Sequence, residues 1–170
     1  GTLSFEERRE LTFDIEHLKS LQNLTKINLS YSGVTGNIAD LNPNLTDINL
    51  SKTDIYGDIE NLKLLPNLKK IYLCDTGVTG DIMYLSSLLN LTDIHLGDTG
   101  VMGDIVHLQF LMKLRKIIIS FTEITGDIVN LKSLPELYCV VLQENSVTGD
   151  EELFHEYRES AQLDYCRICN

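Results

Sequence analysis

Leu68-Lys-Lys-Ile-Tyr-Leu-Cys-Asp-Thr-Gly-Val-Thr-Gly-Asp-Ile-Met-Tyr-Leu-Ser-Ser-Leu-Leu-Asn90 is a 23-residue unit, and Leu91 begins it again. The apolar skeleton L-x-x-I-x-L-x-x-T-x-V-x-G-D-I starts at Leu24, Leu45, Leu68, Leu91, Leu114 and Leu137, at spacings of 21, 23, 23, 23 and 23 residues. Self-similarity at a fixed period of this size implies one supersecondary unit stacked on copies of itself, because a lone unit cannot bury its apolar face.

Within each copy, alternation at period two predicts a short strand. Ile71 and Leu73 face inward in the quoted unit, as do Ile27 and Leu29, Ile48 and Leu50, Ile94 and Leu96, Ile117 and Ile119, and Val140 and Leu142 in the others. A return to the same phase every 23 residues requires successive strands to lie parallel, which predicts a six-stranded parallel sheet. Ser32, Thr53, Thr76, Thr99, Thr122 and Asn145 then occupy one inward-turned polar column, expected to bond the backbone of the adjacent turn.

Behind that column stand Gly36, Gly57, Gly80, Gly103, Gly126 and Gly149, each followed by an acid or amide: Asn37, Asp58, Asp81, Asp104, Asp127 and Asp150. Carboxylates stacked at a strand spacing repel by roughly 1 to 3 kcal/mol per neighbouring pair. Two offsets are open: each Asp accepts from the backbone of the turn it begins, or a cation bridges the column. Asn37 favours capping, since Asn caps as well as Asp and ligates calcium poorly.

The pattern L-x-x-L-x-L-x-x-N/T-x-L followed by G-x-I resembles the leucine-rich repeat, and the I/V-x-G-D-I ending is similar to its plant-type class. The resemblance covers about Leu11 to Asp150. It implies an α/β right-handed leucine-rich repeat solenoid with a concave parallel sheet, short 3-10 or irregular convex turns, and ligand or protein binding through the concave strands and adjacent loops. This chain departs from the class pattern in carrying Thr for the usual Asn, no Pro after Ile, and a two-residue deletion near Leu41-Asn42-Pro43.

Three divisions of a single domain follow: an N-terminal cap over 1–23, six repeats over 24–150 and a C-terminal cap over 151–170. Ser4-Phe5-Glu6-Glu7 reads as a capping box that begins a short helix, and Leu11-Thr12-Phe13-Asp14-Ile15 as half a repeat with Phe13 in the glycine position. Asp150 reads as the N-cap of a terminal helix that buries Leu153, Phe154, Tyr157 and Ala161.

Composition narrows the function. The chain has 170 residues, 43% hydrophobic and 23% charged, with a net charge of −11, which argues against duplex nucleic acid as a partner. No apolar run reaches the ~18 residues of a membrane span, and Gly1 to Leu11 has no basic-then-apolar signal pattern. The resemblance leans towards an extracellular or cell-surface setting. Cys166-Arg-Ile-Cys169 has zinc-ligand spacing without a second pair or a near His, so no metal is expected, and a disulfide from Cys139 to one of that pair is preferred.

Solvent-facing strand positions form the informative columns. The first, Lys26, Asp47, Lys70, Asp93, Lys116 and Cys139, alternates in sign and reads as cross-strand ion pairing. Tyr72, His95, Ile118 and Val141 in the second, Phe121 in the fourth and Tyr138 at the sheet edge place apolar and aromatic groups where water is expected. Exposed apolar clusters mark interfaces, so these six are the candidate partner-binding residues. Cys74, His95 and Asp98 share the face but lack an enclosed pocket or oxyanion donors, and no catalytic residue is assigned. Asn23, Asn28, Asn44, Asn49 and Asn90 head N-x-S/T triplets, two of which, at Asn28 and Asn49, would put sugar on this face in a secretory route.

The expectation is a non-enzymatic, monomeric recognition scaffold for a protein or peptide, with no cofactor. Two alternatives are a structural spacer of a larger surface protein and binding to ice or a mineral surface. The second is weakened where Tyr56 and Met102 interrupt the outward column Thr35, Thr79, Thr125 and Thr148.

Overall fold

The computed structural model describes residues 1–4 and 10–169. Two parallel sheets run along the coil. The first has eight strands, Thr2–Ser4, Lys26–Asn28, Asp47–Asn49, Lys70–Tyr72, Asp93–His95, Lys116–Ile118, Cys139–Val141 and Arg167–Cys169. Neighbours pair at one full repeat, with Lys70 opposite Asp93 and Lys116 opposite Cys139. Each phase of the repeat therefore becomes a straight column across the sheet.

Six strands were expected, and the two additional ones come from the chain ends. Thr2–Ser4 lies on Lys26–Asn28, and Arg167–Cys169 on Cys139–Val141. The outermost repeat strands would otherwise leave their N–H and C=O groups unpaired, and the terminal segments satisfy them. The expected N-terminal capping box and helix lie outside the described residues, apart from Ser4, which belongs to a strand.

The second sheet has six strands: Thr35–Asn37, Asp54–Asp58, Gly77–Asp81, Gly100–Asp104, Glu123–Asp127 and Ser146–Thr148. Its partners are 21 residues apart in the 23-residue repeats, as in Thr79 opposite Gly100, so each strand is staggered by two residues on the last. Equivalent Asp residues are thus diagonal neighbours, about 8 Å apart rather than the ~4.8 Å of an in-register column. That separation weakens the repulsion expected between them.

A 3-10 turn follows each of the five strands that end in Asn37, Asp58, Asp81, Asp104 and Asp127. In every case the side chain of that residue accepts from the N–H two residues on, such as Glu60 to Asp58 Oδ1 at 2.7 Å. Asp14 caps the first turn in the same way, and Asp150 caps the terminal helix through the Leu153 N–H. The turns are six residues long at Ile59–Leu64 and Ile82–Ser87 but only three at Ile38–Asp40, where the deletion falls. Asn42 compensates there: it is buried, donates to the Leu21 carbonyl and accepts from the Asn44 N–H.

The core is a single apolar column inside the coil. In the quoted repeat Leu68, Ile71, Leu73, Val78, Ile82, Leu85 and Leu88 are all buried. Each such side chain contributes roughly 1.5–3 kcal/mol by leaving water.

The C-terminal helix, Glu151–Ser160, differs from expectation in the face it buries. Phe154 and Arg158 are buried, whereas Leu153, Tyr157 and Ala161 are exposed. Arg158, 1% exposed, donates to the carbonyls of Leu134, Leu137 and Asp164 at 2.8 Å and to that of Lys132 at 3.3 Å. The guanidinium thus ties the helix to the loop that precedes the last repeat strand and to the segment that follows the helix. These bonds rotate the helix onto its arginine.

The cysteines also depart from expectation: all four are free thiols. Cys139 lies on the concave face beside Arg167, while Cys166 turns into the core, so strand alternation sends the two sulfurs to opposite sides of the sheet. Burial pushes the Cys166 thiol up to about 11.

Candidate binding face

The concave columns are fixed by the register just described. The first reads Thr2, Lys26, Asp47, Lys70, Asp93, Lys116, Cys139, Arg167 and the second Ser4, Asn28, Asn49, Tyr72, His95, Ile118, Val141, Cys169. The face therefore divides into two chemically distinct halves.

In the N-terminal half the charges neutralise one another. Lys26 pairs with Asp47 at 3.4 Å and Lys70 with Asp93 at 3.9 Å. Thr46 and Thr92 each donate a hydroxyl to the adjacent Asp at 2.6 Å, holding the carboxylates in place. Asn28 and Asn49 turn their carbonyl oxygens to the N–H groups of Ser30 and Ser51. Together with Thr2, Ser4 and Tyr72 these side chains surround a shallow hollow of about 200 Å³. Nothing in the sequence pattern announced it, because it needs Thr2–Ser4 as a strand.

Tyr72 and His95 form the boundary. Their rings lie 4.3 Å apart, and the buried Nε2 of His95 has no hydrogen-bond partner among the described residues. Burial, reinforced by Lys116, holds His95 down at about 4, and burial with the neighbouring Asp93 pushes the Tyr72 hydroxyl up to about 12. Burial also raises Cys74. These directions oppose a thiolate–imidazolium pair, which needs the Cys lowered and the His raised.

In the C-terminal half the second column turns apolar at Ile118, Val141 and Cys169, all half-buried. Lys116 and Arg167 flank Cys139 in the first column without an ion pair among the described residues. Tyr138 is exposed, and its ring lies 5.8 Å from the Arg115 guanidinium.

Phe121 stands apart, for a reason periodicity does not disclose. Tyr31, Lys52, Asp75, Asp98, Phe121 and Glu144, expected as a fourth strand column, all sit in the left-handed region, with φ between 53° and 58°. The chain turns there on every coil. The next residue locks the turn: Thr122 donates its hydroxyl to the Ile119 carbonyl at 2.6 Å, and Ser32, Thr53, Thr76 and Thr99 do likewise three residues back. The hydroxyls thus bond within their own coil; Asn145 alone of that column reaches a neighbouring coil, donating to the Ile119 carbonyl at 3.2 Å. Left-handed backbone is tolerated by Asp and Asn and disfavours large side chains. Phe121 and Tyr31 adopt it with 49% and 48% of their surface exposed.

Large apolar side chains are also exposed in the turns and loops between the second-sheet strands and the next concave strand. Phe110 is 72% exposed, and Leu64, Leu89 and Met112 are exposed as well. Among the described residues no cluster of His, Cys, Asp or Glu is arranged to hold a metal ion, and no helix is long and apolar enough to cross a membrane.

No protein-family profile matches the chain, and no curated protein matches it in sequence. Solved structures do match in fold. The leucine-rich repeat ectodomain of the Arabidopsis receptor kinase HAESA, in complex with an N-terminally extended IDA peptide hormone, superposes with a TM-score of 0.77 at 22% identity, covering 94% of this chain and 27% of that one. The PEPR1–AtPEP1 structure gives 0.71 at 19% identity, covering 86% and 25%. Internalin C2 of Listeria monocytogenes gives 0.63 at 27% identity, covering 86% and 73%. The chain thus spans about a quarter of the HAESA and PEPR1 chains. Repeat period, paired parallel sheets, capped 3-10 turns and these superpositions together give the chain the leucine-rich repeat solenoid fold, with repeats that resemble the plant-type class.

Proposed function

We propose that the chain is a recognition module that binds a peptide or a small protein tip through its concave face. The observation that carries this reading is the placement of Tyr72, Ile118, Val141 and Phe121 on solvent-facing columns, with Phe121 held in a backbone conformation that disfavours it. Folding stability gains little from such placement, and strained or exposed apolar groups concentrate at binding sites. The HAESA ectodomain of the same fold, solved in complex with a peptide hormone ligand, supports the reading.

Size limits the partner. Eight strands span about 34 Å, and with a depth of ~15 Å the face offers about 500 Å², below the ~800 Å² per partner of a standard interface. An extended peptide fits that area; a flat domain surface does not.

The test is a pull-down with the purified chain beside a Tyr72→Ala, Ile118→Ser, Phe121→Ser variant, both verified as folded by circular dichroism. A partner held by the parent and lost by the variant supports the concave face. Equal capture by both places recognition elsewhere.

A further inference from the structure

Resting on the recognition reading above, we propose that the C-terminal half of the concave face selects an extended peptide segment that carries an acidic side chain beside an apolar one.

The argument begins with charge. The chain has a net charge of −11, yet the first concave column contains four cations, Lys26, Lys70, Lys116 and Arg167, against two acids, Asp47 and Asp93. Both acids are committed to cations in the N-terminal half, Asp47 to Lys26 and Asp93 to Lys70. Lys116 stands opposite Asp93 yet forms no ion pair with it, and Arg167 forms none either, among the described residues, and both stand at solvent-facing positions of the sheet. Two strand spacings, about 10 Å, separate them along the one column, so one carboxylate placed over Cys139 lies between them. Long cationic side chains converge across that distance readily, and arginine receives a carboxylate in a bidentate geometry.

Apolar surface lies next to this cationic pair. Ile118, Val141 and Cys169 fill the second column directly beside Lys116, Cys139 and Arg167, two residues along the same strands. The spacing of about 7 Å between the two columns equals the spacing between same-side residues of an extended peptide. A ligand strand that sets its acid over the first column therefore sets a residue two positions away over the second. Phe121 stands three residues beyond Ile118 and is exposed where the strand turns, closing the apolar side. The N-terminal half offers no such combination, since its cations are neutralised and its second column carries Asn28 and Asn49.

The experiment uses the whole chain and synthetic nonapeptides, acetylated and amidated so that no terminal charge contributes. In a Ser/Thr background each peptide carries Leu or Phe two residues from Glu, Gln or Lys, and binding is followed by fluorescence anisotropy of a label. The expected result is binding at least tenfold tighter for Glu than for Gln, with Lys weakest. The Lys116→Gln, Arg167→Gln double variant brings the Glu:Gln ratio close to one. Ile118→Ser weakens all peptides and keeps the ratio. If the double variant does not fold, either single variant gives the same reading with a smaller change.

Absence of peptide binding, equal binding of Glu and Lys peptides, or a ratio untouched by loss of both cations each overturns the proposal. A partner captured by the parent and lost on Tyr72→Ala, Ile118→Ser, Phe121→Ser, together with no acidic preference, leaves concave recognition standing and removes only the ligand chemistry proposed.

Discussion

Gly80 lies directly over the Asp58 carboxylate: a Cβ on Gly80 would overlap Asp58 Oδ1, the same oxygen that caps the Glu60 N–H at 2.7 Å. The relationship recurs along the coil as Gly36 over Asp14, Gly57 over Asn37, Gly103 over Asp81, Gly126 over Asp104 and Gly149 over Asp127. The G-D pair in each repeat is thus two halves of different contacts. The Asp caps its own 3-10 turn, and the Gly of the next coil makes room for it. Phe13 precedes the first Asp of the column, with no earlier member beneath it, and there a large side chain is accepted.

Gly80→Ala is expected to destabilise the fold by about 2–4 kcal/mol, because it meets both the overlap and a φ of 110°. For a chain of this length that lowers the melting temperature by roughly 5–15 °C. Asp58→Asn keeps the cap, as Asn37 does naturally, and should change stability by less than ~0.5 kcal/mol, while Asp58→Ala loses about 1 kcal/mol. Thermal unfolding of the three variants checks the order.

Arg158→Met should cost about 2–3 kcal/mol, since it removes the guanidinium donor from the Leu137 carbonyl and leaves the Leu134 carbonyl only the Leu137 N–H at 3.4 Å. The loss is expected to be local to the C-terminal end. Hydrogen exchange should quicken at Cys139–Val141 and stay slow at Lys70–Tyr72; uniform quickening would contradict a capping role.

His95 imposes a pH dependence. Its folded value of about 4 lies below the ordinary 6.5, so the unfolded chain takes up a proton first as pH falls. The stability is fully present above pH 6.5 and is lost as pH falls towards 4, by about 1–2 kcal/mol once partial solvent screening is allowed for. Urea midpoints at pH 7 and pH 4.5 should differ less in His95→Gln than in the parent.

Phe121→Asn should raise stability by roughly 0.5–1 kcal/mol, because Asn accepts the left-handed backbone and the phenyl ring is half-exposed. The same change should weaken capture of the concave partner severalfold. A variant that loses stability, or keeps full binding, would show that Phe121 serves packing instead.

Strand phase, parallel pairing and the buried leucines were legible because burial inside a coil tolerates only an apolar skeleton at a fixed period. Leu68, Ile71 and Leu73 can face only one way in a strand stacked every 23 residues. The concave columns followed from the same arithmetic, which is why Tyr72, His95, Ile118 and Val141 fall on one column, as the register requires. Phe121 was legible as exposed but not as left-handed, since no single-residue pattern reports a φ angle when Lys, Asp, Tyr and Glu share the position. The helix face was misread because hydrophobic periodicity cannot register an arginine buried for its five donors.

Local sequence therefore determined the repeat, the strands, the inward-facing residues and the capping Asp of each turn, all consequences of short-range geometry and solvent exclusion. Tertiary structure alone decided what depends on residues far apart in the chain. It brings Thr2–Ser4 and Arg167–Cys169 to the two sheet edges, staggers the second sheet so that Gly80 meets Asp58, and pairs Lys26 and Lys70 with acids while leaving Lys116 and Arg167 facing solvent. The physical reason is that edge pairing, stagger and charge neutralisation are settled between coils, where each side chain meets neighbours about 20 residues away.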